Sequence, residues 1–126
     1  MRLNQVTLPS RDIARAKAFY LTLGLKLVVD APPHYVRFAL PEGDSTLSLH
    51  LCEEDPNNAW PMVYFECDDL DARVSALKAK GIQFHLDPTD QEWLWREARL
   101  RDPDGNALCL FRAGENRLNP PWAVKE

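Results

Sequence analysis

A chain of 126 residues carrying a net charge of −4, 45% hydrophobic and 27% charged, has the size and composition of one compact domain that buries a core without metal or disulfide staples. The acidic balance excludes the basic footprint of a nucleic-acid binder, and no run of about 18 apolar residues is available to cross a membrane. Three cysteines without a C-x-x-C spacing, behind an N-terminus that lacks an apolar leader core, predict a cytoplasmic protein rather than a secreted disulfide framework.

Taken in chain order, Leu3 to Leu8 reads as a strand ended by Pro9-Ser10, with Ser10 placed to cap a helix and Asp12 in its first turn. Ile13, Ala16, Phe19/Tyr20 and Leu23 recur at helical spacing, and Gly24 supplies a left-handed stop. Strands follow over Leu25 to Val29 and Tyr35 to Leu40, separated by the Ala31-Pro32-Pro33 turn and closed by Pro41-Glu42-Gly43-Asp44. Thr46 to Cys52 alternates strictly and is the clearest strand of all. Glu53 to Pro61 is a polar loop. Met62 to Cys67 then repeats the opening strand, and Asp68 or Asp69 starts a second helix with Leu70, Val74 and Leu77 on one face and Gly81 at its end. Ile82 to His85 reads as short and extended, Asp87 to Glu92 as a polar loop, and Trp93 to Arg101 as a strand. The turn Asp102-Pro103-Asp104-Gly105 leads to a last strand over Ala107 to Phe111.

The chain therefore repeats itself. Asp12 and Gly24 recur as Asp69 and Gly81 at a constant offset of 57 (69 − 12 and 81 − 24). The expected fold is α+β: two βαβββ modules, one about 1–53 and one about 60–112, forming an open curved mixed sheet in a single domain 1–126, followed by a C-terminal tail over 113–126.

Alternation assigns the faces. With leucines 47, 49 and 51 under the helix, Thr46, Ser48, His50 and Cys52 point the other way. The same phase sends Gln5 and Thr7 to that second face, then Met62, Tyr64 and Glu66, then Ala107, Cys109 and Phe111. Apolar Met62, Tyr64 and Phe111 among them predict a partly covered hollow rather than a solvated surface. Trp93, Trp95 and Arg99 alternate on one strand and offer aromatic walls and a cation for a planar or anionic ligand if they face inward. Arg37 is a second candidate anion partner. If the tryptophans face outward, they and Trp60 and Trp122 would serve a subunit contact.

Four stretches carry a resemblance to a known family: Asn4-Gln5-Val6-Thr7-Leu8; Asp12-Ile13 with Ala18-Phe19-Tyr20 and Leu23-Gly24-Leu25; Phe65-Glu66-Cys67-Asp68-Asp69-Leu70-Asp71; and Arg101-Asp102-Pro103-Asp104-Gly105-Asn106. In that order the chain resembles the vicinal oxygen chelate superfamily, which includes glyoxalase I, bleomycin-resistance proteins, extradiol dioxygenases and methylmalonyl-CoA epimerase. The resemblance implies a glyoxalase-like fold and places the four metal-ligand positions of metal-using relatives on Gln5, Ser48, Met62 and Cys109. Ser48 and Met62 are poor ligands for a divalent ion.

Three functions follow as expectations. The first is a metal-independent small-molecule-binding protein of the glyoxalase/bleomycin-resistance type, with no cofactor, its ligand touching Gln5, Thr7, Ser48, His50, Met62, Tyr64, Trp95, Arg99, Cys109 and Phe111. The second is a lyase or isomerase holding a divalent metal at a relocated site of Gln5, His50, Glu66 and Cys109, with Glu66 and His50 as the catalytic pair. The third is a non-catalytic interaction subunit. A homodimer is expected in each case, with neither nucleic acid nor membrane as partner.

Overall fold

The computed structural model describes residues 2–53 and 61–123; most of the loop expected over 53–61, Trp60 within it and the last three tail residues lie outside the described residues. The chain divides into two compact units. The first comprises Met1–Pro61 with Arg101–Asn106, the second Met62–Leu100 with Ala107–Glu126.

The first unit runs β1 (Gln5–Ser10), α1 (Ile13–Leu23), β2 (Lys26–Ala31), β3 (Tyr35–Ala39) and β4 (Thr46–Leu51). Its strands lie in the order β1-β4-β3-β2, with β4 parallel to β1 and antiparallel to β3. The apolar stripe of α1 buries Ile13, Ala16, Tyr20 and Leu23. Across from it Leu8, Val36, Phe38, Leu47 and Leu49 are all at most 1% exposed, so the strand phase read from alternation holds. Leu51, expected in the core, is half-buried at the strand end. The cap differs from expectation. Asp12, not Ser10, is the N-cap: its Oδ1 accepts the Arg15 N–H at 3.1 Å, and Ser10 Oγ accepts the Asp12 N–H at 3.2 Å.

The turn Asp102–Asn106 belongs to this unit and is bonded into it. Asp102 Oδ2 accepts the buried hydroxyl of Tyr20 at 2.7 Å, and Asn106 Nδ2 donates to the Pro9 carbonyl at 3.0 Å. Arg11 N–H donates to Asp104 Oδ1 at 2.8 Å.

The second unit runs β5 (Val63–Glu66), α2 (Leu70–Ala79), β6 (Leu86–Asp90), β7 (Arg96–Arg101) and β8 (Ala107–Arg112), then a 3₁₀ turn over Gly114–Arg117. Its order, β5-β8-β7-β6, repeats the first, again with a parallel pair between the opening and closing strands. Two mixed four-stranded sheets, neither closed, and two helices give the α+β architecture of two βαβββ modules. Here β6 occupies the stretch read as a polar loop, and 82–85 is irregular instead of extended. The strand read from Trp93 begins at Arg96. Residues before it turn back on themselves, with Gln91 N–H bonded to the Trp95 carbonyl at 2.7 Å and Leu94 at a φ of 68°. Among the described residues no helix is long and apolar enough to cross a membrane.

Candidate functional site

In the first unit the sheet face opposite α1 carries a run of polar groups across β1, β4 and β3. Register sets Gln5 beside Thr46, Thr7 beside Ser48, Ser48 beside Arg37 and His50 beside Tyr35. Gln5 Oε1 accepts the Thr46 hydroxyl at 2.9 Å. Ser48 is fully buried, and its Oγ lies 2.6 Å from Tyr35 Oη, which also accepts the Nε–H of Arg37 at 2.9 Å. The guanidinium carbon sits 5.5 Å from the Tyr35 ring centre, a cation–π distance. Partial burial raises the Tyr35 pKa, but the bonds from Ser48 and Arg37 and the positive charge of Arg37 outweigh it and hold the phenol below its ordinary value. His50 is exposed; its Nδ1–H donates to the Leu51 carbonyl at 3.1 Å, and its ring meets the Tyr35 ring edge-on at 6.4 Å. Thr7 is exposed. Tyr35 was not among the expected site residues, although it alternates with the core positions Val36 and Phe38, which puts it in phase with Arg37.

The second unit carries the aromatic face. Trp95 stacks on Phe111 with ring centres 4.6 Å apart, and Tyr64 meets both edge-on at 6.1 and 5.8 Å. Phe111 belongs to a small buried cluster with Cys109 and Ala113, against which Met62 and Trp95 pack. The β8 strand is thus buried on both faces, where alternation alone predicted one. Tyr64 remains 48% exposed, so this platform presents a wall to solvent. Trp95 is fixed in place: its indole N–H donates to the Asn116 carbonyl at 3.3 Å. The first turn of the tail therefore covers its own module.

Trp95, Glu97 and Arg99 alternate on β7 and its approach, and this resolves which way that strand faces: Trp95 lies on the side of Tyr64 and Phe111. Glu97 is the second residue that the sequence reading missed, after Tyr35. It is 1% exposed, its Oε1 accepts Arg99 Nη2 at 2.8 Å and Nε at 3.2 Å, and its Oε2 accepts the Trp93 indole at 2.8 Å. A carboxylate this deep needs such partners. Trp93 is not a wall beside Trp95 but an exposed turn residue reaching back to Glu97. Burial, then the charge of Glu97, pushes the Cys109 thiol up to about 12, and the pKa of Tyr64 is raised by burial, Cys109 and Glu97. Glu66 ends β5 in a structural setting, with Oε1 3.6 Å from Arg117 Nε and Oε2 accepting the Ala113 N–H at 3.3 Å. A separate open depression of about 280 Å³ near Asp90, Leu94 and Arg112 is polar, and its Arg96 is already bonded to Asp71 and Asp90.

The residues present do not fit a family metal. A divalent site needs three or four N, O or S donors converging near 2 Å. Among the described residues no three His, Cys, Asp or Glu side chains gather to hold one. Ser48 is committed to Tyr35, Met62 offers only a thioether, and Glu66 is taken by Arg117 and Ala113.

The fold has counterparts among known proteins. A Klebsiella pneumoniae bleomycin resistance protein is 33% identical over 114 residues, covering 83% of this chain and 87% of that protein. A crystal structure of a bleomycin-binding protein complexed with bleomycin superposes with a TM-score of 0.73 at 30% identity, over 89% of this chain and 98% of that one. The bleomycin resistance determinant encoded on transposon Tn5 gives a TM-score of 0.74, also at 30% identity and the same coverage. Residues 2–110 match the family described as the Glyoxalase/Bleomycin resistance protein/Dioxygenase superfamily, and the chain belongs to it.

Proposed function

We propose that this chain is a small-molecule-binding protein of the bleomycin-resistance type that holds its ligand without the family metal. The observation that carries the reading is the aromatic platform. Tyr64 stands half-exposed against a Trp95 that is stacked on Phe111 and pinned by Asn116, so flat, apolar area is offered with little entropy left to lose on binding. Glu97 is spent on Arg99 and Trp93, which leaves the platform close to neutral. Within the same unit Met62, Arg99 and Cys109 complete the proposed contact set as packing or polar partners. Glu66 serves to hold the chain at Ala113 and Arg117 and is assigned no chemistry.

Bleomycin is the first ligand to test, because related proteins of known name bind it or confer resistance to it. Titration of the full chain should quench or shift tryptophan emission and raise the melting temperature. Trp95→Ala should weaken binding about tenfold, equivalent to about 1.4 kcal/mol. A wild-type protein that neither responds nor is stabilised, by bleomycin or by a panel of aromatic small molecules, would remove this reading. We further infer a cytosolic homodimer. An odd count of three cysteines without a C-x-x-C spacing suits a reducing compartment, and exposed Leu118 and Trp122 supply apolar area for a second copy.

A further inference from the structure

The duplicated architecture lets one half serve as the control for the other. In each module the third strand carries an arginine two residues after a partner on the same face: Tyr35 and Arg37 on β3, Glu97 and Arg99 on β7. In the second unit that partner is a carboxylate, and the guanidinium is neutralised at 2.8 Å. In the first unit the partner is a phenol, which orients the guanidinium through a 2.9 Å bond but cancels none of its charge. Arg2, Arg15, Arg73, Arg96, Arg99 and Arg117 each lie against a carboxylate. Arg37 has none among the described residues, and its interactions are those already given with Tyr35.

Its surroundings point the same way. Register places Ser48 directly beside it, with Thr7 one strand further and Thr46 and Gln5 along the same face. Each is neutral and carries a hydrogen-bond donor. An uncancelled positive charge in a protein of net charge −4, half-buried and held in one orientation, is costly unless something negative answers it. With Nε engaged by Tyr35, both terminal NH₂ groups remain, and their planar fork matches two oxygens of one oxyanion.

We propose that Arg37, oriented by Tyr35 and flanked by Ser48 and Thr7, is the anchor of an oxyanion-binding site on the polar sheet face of the first unit, taking the carboxylate or phosphate of a small molecule. This site does not rest on the aromatic platform of the second unit. Its readout is local to Arg37, so either proposal can fail alone.

The test is nuclear magnetic resonance of the isotope-labelled full chain at constant ionic strength, following the Arg37 Nε–H and Ser48 amide signals. The probes are benzoate, inorganic phosphate and the neutral benzamide. Benzoate or phosphate should move both signals along a saturable curve, and benzamide should not. Saturation by benzoate alone assigns a carboxylate; by phosphate alone, a phosphate; by both, the shared chemistry. Arg37→Gln should weaken the response of Ser48 at least about tenfold while its amide spectrum stays dispersed. Linear shifts without saturation, an equal response to benzamide, or unchanged affinity in Arg37→Gln would overturn the proposal. The benzoate and benzamide comparison needs only the wild-type protein, so the question is answered even if the variant does not fold.

Discussion

Tyr35 Oη is met by two hydrogen-bond groups at once, the Arg37 Nε–H at 2.9 Å and the Ser48 hydroxyl at 2.6 Å. When the phenol is neutral it donates to Ser48; when it ionises, Ser48 turns and donates to it. Both states are fully bonded, which is why ionisation comes early here. The chain has three tyrosines, and the other two are displaced the opposite way, Tyr20 by burial and the charge of Asp102, Tyr64 by burial, Cys109 and Glu97. An alkaline titration of phenolate absorbance should therefore show Tyr35 ionising first, below the ordinary tyrosine value of about 10. Tyr35→Phe should delete that first step, and Arg37→Gln should move it to higher pH. A first step unaltered by Tyr35→Phe would refute the assignment. The sign for stability follows. The folded pKa lies below the unfolded one, so this group's contribution is present above about pH 10 and is lost as pH falls through the folded value.

At the scale of elements, the duplicated helices separate two uses of one residue type. Asp12 caps α1 with a side-chain bond, while Asp69 sits at the equivalent place before α2 and makes none. Asp12→Ala should cost about 1 kcal/mol in chemical denaturation and Asp69→Ala only a few tenths, from the helix dipole and the exposed ion pair with Arg73. Equal losses would mean that the cap bond is not what stabilises α1. Both helices and the strand phase of β3 and β4 were legible in sequence because each buries one face and exposes the other, which writes a period into the residues. The β6 strand was not. Leu86-Asp87-Pro88-Thr89-Asp90 has no apolar alternation and carries a proline, and it forms a strand because it is an edge with one neighbour to satisfy. Glu97 escaped notice for a related reason. A charged residue in a strand reads as solvent-facing, and only the arrival of Arg99 and the Trp93 indole makes its burial tolerable. The turn at Leu94 that aims the indole leaves no mark in the hydrophobic pattern.

For the whole molecule the repeated order of elements coexists with opposite surface chemistry: neutral polar groups around Arg37, which meets no carboxylate among the described residues, on the first sheet, and stacked rings over a cancelled ion pair on the second. Divergence of this kind is invisible to a repeat search, which finds the shared core and glycines. The proposed second copy is the remaining level of organisation. Sedimentation equilibrium should return twice the chain mass, and Trp122→Asp, at a side chain 59% exposed, should shift the distribution to monomer. A monomer at all concentrations in the wild type would exclude the pairing.

The first unit is not one continuous piece of polypeptide. Its Tyr20 hydroxyl finds its acceptor, and the Pro9 carbonyl a side-chain donor, on the segment 101–106. Scissors applied to the gene after residue 61 would thus yield a fragment with a phenol sealed in hydrocarbon and nothing to bond to. An ancestral half-length protein would have had to borrow that segment from a sister molecule or do without the tyrosine.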